Sequence, residues 1–165
     1  MPHIRAPDYR DTLAQHLDVD VGKSCAYLDL RKEQEKATMY ELAADEDVFP
    51  TIYRTAVNRR FGLLPQGLAA RSKRGLVCMA ASAYGHNRPW QNARDLTNLT
   101  RMLQVASGLA VKEGGDGPPK SSLVFYFAYL MTGYFAAAGM MAALLRRSIE
   151  GGSYHVKLSL VRSAM

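Results

Sequence analysis

Three short stretches carry side chains suited to chemistry. Arg54, Arg59 and Arg60 stand close together, with Tyr53 and Phe61 beside them. A guanidinium presents a planar fork of donors that fits phosphate oxygens, and the neighbouring rings could stack on a base. A solvated helix face would look the same, so spacing alone leaves both readings open. Lys23, within Gly22-Lys23-Ser24, resembles the end of a phosphate loop. The upstream glycine of G-x-x-x-x-G-K-S/T would fall on Leu17, however, and a strand follows where that motif needs a helix. A nucleotide-hydrolysing loop is thereby excluded, leaving Lys23 as a lone phosphate contact or a solvated lysine. His86 follows Tyr84-Gly85 in a loop, with no Ser or Cys nucleophile and no carboxylate placed beside it. His3, His16 and His155 read as structural. No His, Cys, Asp or Glu pair has metal-ligand spacing, so no metal is expected.

The elements that must position these groups alternate between strand and helix. Residues 1–20 show no periodicity and read as an irregular arm, ahead of one α/β unit over residues 21–165. Cys25–Leu30 (CAYLDL) reads as a short buried strand and Lys32–Ala44 as an amphipathic helix. Asp47–Tyr53 is a second strand, which Pro50 confines to a sheet edge or ends early. Thr55–Arg60 and Pro65–Lys73 are short helices. Gly75–Ala81 (GLVCMAA) is the clearest strand, running into a loop from Ser82 to Trp90. A helix is expected from about Asp95 to Ser107, a Gly/Pro loop over Lys112–Lys120, a long helix over Met131–Ile149, and a last strand over Tyr154–Leu160. This order predicts a parallel sheet covered by helices on both faces, with ligands at the carboxyl ends of the strands.

One stretch has two readings. Leu123–Leu145 holds no charge, and Arg146 and Arg147 close it. At about 1.5 Å per residue it could reach roughly 35 Å, enough to cross a bilayer. Its composition points elsewhere. Of 23 residues only five are Leu or Val and eight are Gly or Ala, which makes insertion marginal on a per-residue scale. Leu123–Tyr129 is aromatic and β-prone, while Gly133–Leu145 is helix-forming. The favoured reading is a strand end followed by a buried helix, with Gly133, Ala136, Ala137, Gly139, Ala142 and Ala143 allowing close approach to a neighbour.

The 165 residues suffice for one domain with a real core, and 48% hydrophobic with 22% charged residues is ordinary globular composition. MPHIRAPDYRD lacks the apolar segment of a secretory signal. Cys25 and Cys78 are far apart in apolar runs and read as reduced core thiols of a cytoplasmic protein. The net charge of +6 is spread along the chain, which argues against nucleic acid and suits a phosphate-bearing small molecule.

From the third strand onward the pieces GLVCMAASAYGHNRPW, QVASGLA, GGDGPP, TGYFAAAGMMAALLRR and GGSYHVKLSLVRSAM resemble the family III CoA-transferases (CaiB/BaiF, formyl-CoA transferase-like). GKSCAYLDLR, DVFPTIYR and RRFGL continue the resemblance from about Asp20 to Met165. It implies a Rossmann-like α/β fold, here incomplete: a first strand and helix and a second, small domain of the family are missing. It also implies coenzyme A thioesters and carboxylic acids as substrates, no permanently bound cofactor, no membrane, and a homodimer. In the family an aspartate attacks the acyl-CoA thioester and passes through a mixed anhydride and an aspartyl-CoA thioester.

Residue by residue, the resemblance assigns CoA contacts to Lys23, Arg60 and the Tyr53-Arg54 step. That step matches the middle of an N-F-R-P-G pattern whose other positions are here Ile52, Thr55 and Ala56. Tyr84-Gly85-His86 matches the loop lining the site, with Arg88 where glycine is usual. The nucleophilic aspartate falls on Tyr129, and a second aspartate of the pattern on Thr100; Asp95 and Asp116 are out of register. A phenol has no carboxyl carbon and cannot form either intermediate. The expectation is therefore a CoA-transferase domain of impaired activity, or a non-catalytic CoA-binding or dimerisation remnant.

Overall fold

The computed structural model describes residues 2–8, 20–86, 104–121 and 127–165. Its centre is the apolar run at Val77–Ser82 (β4), hydrogen-bonded on one side to Val48–Thr51 (β3) and on the other to Tyr154–Ser159 (β5), all parallel. A strand buried on both faces must be apolar at nearly every position, and β4 is. Alternate residues face opposite ways. Cys78 packs with Leu76, Ala43, Leu63 and Leu68 on one face, while Met79 and Ala81 meet Ala136 on the other. Pro50, which has no N–H for a ladder, sits in β3 at the edge of this sheet, as its chemistry requires.

Helices cover both faces. Glu33–Asp45 (α1) follows the expected Lys32–Ala44 within a residue. It shares the first face with Thr55–Arg60 (α2) and Pro65–Ala69 (α3), where Ala43, Leu63 and Leu68 are buried. Pro at the first position of α3 fits a helix start, where its missing N–H costs nothing. Leu109–Gly114 (α4) occupies part of the segment expected to be a Gly/Pro loop. Only its second half, from Gly115, breaks the helix, because Gly115 takes a left-handed backbone at φ 58°.

Phe127–Glu150 (α5) lies on the second face, and Leu160–Ser163 (α6) closes the chain. The close approach predicted from small residues holds at Gly139, where a Cβ would lie 2.9 Å from Val156 Cγ1, and at buried Ala136 and Ala143. It does not hold at Gly133, which has open space, nor at exposed Ala137 and Ala142. The C-terminal end is tied down by Arg147, which donates to the Gly75 carbonyl at 2.9 Å and to Asp47 Oδ1 at 2.7 Å. That guanidinium holds the Asp47 carboxyl below its usual range.

Four expectations need correction. The N-terminal arm contains a strand, Pro2–Arg5 (β1), paired in parallel with Ser24–Tyr27 (β2). Four residues are too few to show a period, so only the partner strand reveals it. β2 itself is exposed throughout, as is Cys25, so neither belongs to the core. Tyr129 is not at a strand end: α5 already begins at Phe127, and Thr132 Oγ1 donates to the Ala128 carbonyl at 2.6 Å inside the helix. Finally, α5 is not a buried helix. It is long and apolar enough to cross a membrane, yet only Ala128, Thr132, Ala136 and Ala143 along it are buried. Leu130, Tyr134, Met141, Leu145 and Ile149 form an exposed stripe along it. The helix expected at Asp95–Ser107, Arg88, Thr100 and the rest of the loop to Trp90 lie largely outside the described residues.

The two thiols offer a direct check. Burial pushes the Cys78 thiol up to about 11, and its side chain is shielded between the sheet and α1 and α3. Cys25 is open to solvent. Thiolate is the reactive form, so native protein should take up one equivalent of an alkylating reagent quickly, at Cys25, and a second far more slowly, at Cys78. Mass spectrometry showing equal labelling of both would contradict this packing.

Candidate functional site

β3, β4 and β5 are parallel, so the segments that follow them emerge at one edge. After β3 comes Tyr53-Arg54, after β4 Tyr84-Gly85-His86, and after β5 the short helix α6. The first turn of α5 reaches the same edge. Ala128, Ala83, Leu160 and Ala164 form a buried cluster there, with Tyr84, Tyr129 and Val161 packed against it. Tyr129 and Tyr84, far apart in sequence, thus pack against the same buried cluster.

Tyr53 and Arg54 project from this edge, Tyr53 with 51% of its surface open. Arg54 is the residue preceding α2 and Arg60 its last, so the two arginines start from opposite ends of a six-residue helix. Arg60 is exposed and stacks over the Phe61 ring at 5.7 Å. Cation–π contacts of this kind order a guanidinium without consuming its hydrogen-bond donors.

The loop after β4 is held by its own residues. Gly85 takes φ 98°, a backbone that other residues rarely adopt, and its N–H donates to Ser82 Oγ at 3.0 Å. His86 folds back beneath the edge. Its Nε2 lies 3.0 Å from the Ala80 carbonyl and 3.1 Å from the Leu158 carbonyl, so its N–H bridges β4 and β5. That nitrogen is committed to the scaffold, and the histidine holds the loop in place. His155, 6.4 Å away ring to ring, has its pKa lowered by partial burial, with smaller contributions from Lys157 and His86.

Lys23 belongs to the other ladder. It sits before β2 in a turn closed by its N–H to the Asp20 carbonyl, with Nζ 3.9 Å from Asp20 Oδ1. Asp20 is the hub of this corner: His3 Nδ1 is 2.8 Å from Oδ1 and Arg5 Nη2 is 2.7 Å from Oδ2. The β1–β2 register places His3 opposite Cys25. His3, Asp20 and Cys25 could offer ligand atoms within 4.8 Å of one another, a grouping that sequence spacing did not show. Two cations already face the carboxylate, so a divalent ion would meet repulsion from Arg5 and Lys23. The same corner ties the Lys23 backbone to Asp20 through the turn hydrogen bond of 3.0 Å.

No carboxylate belongs to the described segments of the β3–β5 carboxyl edge: residues 52–63, 77–86, 127–149 and 158–165 contain neither Asp nor Glu. A cleft of about 160 Å³ opens at the opposite, amino end of the sheet between Pro65, Leu76, Cys78 and Tyr154. It is small and apolar, and it lies away from the residues above.

Residues 3–165 match the CoA-transferase family III. The chain belongs to that family. It is 27% identical over 163 residues to the acetyl-coenzyme A transferase nodX of Hypoxylon pulicicidum, covering 95% of this chain and 27% of that protein. It is also 27% identical over 143 residues to the acetyl-CoA:oxalate CoA-transferase of Acetobacter aceti, covering 86% of this chain and 36% of that one. Among solved structures, a CaiB/BaiF family protein from Brucella suis superposes with a TM-score of 0.78 at 23% identity, covering 87% of this chain and 37% of that chain. Rv3272 from Mycobacterium tuberculosis superposes at 0.76 with 26% identity, covering 87% and 39%. The family III fold is therefore present in part: the chain spans about a quarter to a third of the length of these curated relatives.

Proposed function

We propose that this chain is a coenzyme A-binding α/β unit of a family III CoA-transferase whose own transfer chemistry is impaired. Relatives bear names that pair a CoA thioester with a carboxylic acid, such as acetyl-CoA with oxalate and cinnamoyl-CoA with phenyllactate. The same substrate classes are proposed here. The observation that carries the reading is the exposed Tyr53-Arg54 step at the carboxyl edge, with Arg60 at the far end of the helix it starts. Two guanidinium groups and an aromatic ring suit the phosphates and adenine of CoA. Lys23, held by Asp20, is the third cation of the reading.

A ligand that binds only the folded state raises its melting temperature by mass action. CoA should therefore stabilise the wild-type protein. Arg54→Ala and Arg60→Ala should each weaken this, by roughly tenfold in affinity, since a charge-assisted hydrogen bond contributes about 1.5–3 kcal/mol. Melting curves that shift equally in both variants and the wild type would discard these contacts.

The reading places the protein in the cytoplasm and outside membranes, with α5 packed on a sheet by Ala136 and Ala143. A specific observation also favours self-association. The stripe from Leu130 to Ile149 leaves large side chains in water, Tyr134 at 72% and Ile149 at 78% exposed. Covering such a face releases ordered water at about 25 cal/mol per Å². A homodimer is the partner proposed, whether or not the chain retains CoA.

A further inference from the structure

We infer that Asn58 is the positioning residue of the Tyr53-Arg54 step, acting through a closed circuit of hydrogen bonds around Tyr53. The inference rests on the CoA-binding reading for what that step contacts, and on geometry for everything else. Asn58 lies in the middle of α2, 5% exposed, among residues that are otherwise open to water or only partly covered. A buried amide on a short surface helix requires partners, and each one it has leads to the loop.

The Tyr53 N–H donates to Thr51 Oγ1 at 3.3 Å. The Thr51 hydroxyl donates in turn to Asn58 Oδ1, also at 3.3 Å. Asn58 Nδ2 closes the circuit by donating to the Tyr53 carbonyl at 3.2 Å. Both backbone polar groups of Tyr53 are thus satisfied by side chains, one on the last residue of β3 and one on α2. Meanwhile the Tyr53 ring is left half open to solvent and Arg54 is exposed. The backbone of Asn58 adds to the anchor, accepting from the Leu63 N–H at 2.7 Å and donating to the Arg54 carbonyl at 3.1 Å.

Holding an exposed aromatic and an exposed arginine by their backbone, from beneath, leaves their side chains available while fixing where they start. Neither Thr55 nor Ala56, which follow the step, restricts the backbone as proline would. The amide circuit supplies that rigidity from the side. Ordering the step before a ligand arrives reduces the entropy lost on binding, so affinity should depend on the circuit.

The test compares Asn58→Leu and Thr51→Val, which break the circuit at nearly constant volume, with Thr51→Ser, which keeps the hydroxyl. Two readouts are needed: amide hydrogen exchange by segment, and affinity for CoA itself. The first two variants should raise exchange across residues 53–57 while β4 and α5 remain as protected as in the wild type. They should also weaken CoA binding by roughly tenfold, the range expected for loss of a buried hydrogen-bond partner. Thr51→Ser should match the wild type in both. Faster exchange throughout the sheet would make Asn58 a general core residue and overturn the inference. So would a folded Asn58→Leu protein with unchanged CoA affinity and unchanged loop protection. Should the wild type bind no CoA, the functional reading fails by itself. The exchange pattern then decides the tether: faster exchange confined to residues 53–57 keeps it, and any other pattern removes it.

Discussion

Purified protein supplied with an acyl-CoA and a free carboxylic acid is expected to leave CoA on its original acyl group, and Tyr129→Asp is the substitution expected to change that. A carboxylate can attack a thioester carbonyl, expel the CoA thiolate and hold the acyl group as a mixed anhydride. The thiolate can then attack the carboxyl carbon of the side chain, displace the acyl group as a carboxylate, and leave CoA on the enzyme as a thioester. A phenol could at most take the acyl group as an ester. It offers no carbonyl carbon to receive CoA, so the exchange stops there. Tyr129 stands in the first turn of a 24-residue helix. The dipole at the start of a helix favours a nearby carboxylate by about 0.3–1 kcal/mol, which suits an aspartate at this place. Removing the ring uncovers part of the cluster of Ala83, Ala128 and Leu160, so a melting curve must accompany the assay. The readout is transfer of labelled acid onto CoA, rising from background in the wild type to a measurable rate in Tyr129→Asp. Exchange by the wild type would refute the impairment, and a folded, CoA-binding but inactive Tyr129→Asp would show that more than one group is missing.

The second large effect concerns stability. Gly75 has φ 79°, and a Cβ there would collide with the carbonyl of Gly152. This is the junction where the sheet meets the end of α5. The Gly75 carbonyl accepts from Arg147, the Leu76 N–H donates to Ser153 Oγ at 3.0 Å, and the Tyr154 N–H donates to the Leu76 carbonyl at 3.0 Å. Gly75→Ala therefore combines a strained backbone with a main-chain clash that no rotamer change relieves. The expected loss is about 2–5 kcal/mol, a large share of the roughly 5–15 kcal/mol that holds a domain together. In a chain of this length that lowers the melting temperature by roughly 5–15 °C. Gly152→Ala is the control: φ is 82° but nothing lies within 4 Å of the added carbon, so only the backbone term of about 1–3 kcal/mol applies. Equal losses in the two variants would mean the junction is not packed as described.

Much of this scaffold could be read from the sequence, for reasons visible in particular residues. β4 is apolar at successive positions because both of its faces are covered. Pro50 placed β3 at an edge because proline cannot donate to a ladder. The parts that escaped depend on contacts distant in the chain. β1 is a strand by virtue of β2, and four residues such as Pro2–Arg5 carry no pattern of their own. Tyr129 lies among aromatic residues whose local preference is β, yet the small residues that follow seat α5 against β4 and β5, and the helix extends back to Phe127. The lack of charge in α5 suggested burial, but charge says nothing about whether a covering partner belongs to the same chain. Tyr53, Arg54, Arg60 and Tyr84 could be picked out beforehand by their types and order, and the proposed site rests on them. Asn58 and Asp20 could not, because a buried amide and a buried carboxylate look like any polar residue until their partners are known.

The central claim is that the CoA site survives in a chain that has lost the nucleophile. Titration calorimetry of the wild-type protein with CoA, carried to millimolar ligand, addresses it most directly. The account predicts saturable heat, diminished when Lys23, Arg54 and Arg60 are replaced together by alanine in a protein that still melts cooperatively. No heat at millimolar CoA, or heat unchanged by the triple replacement, would contradict it.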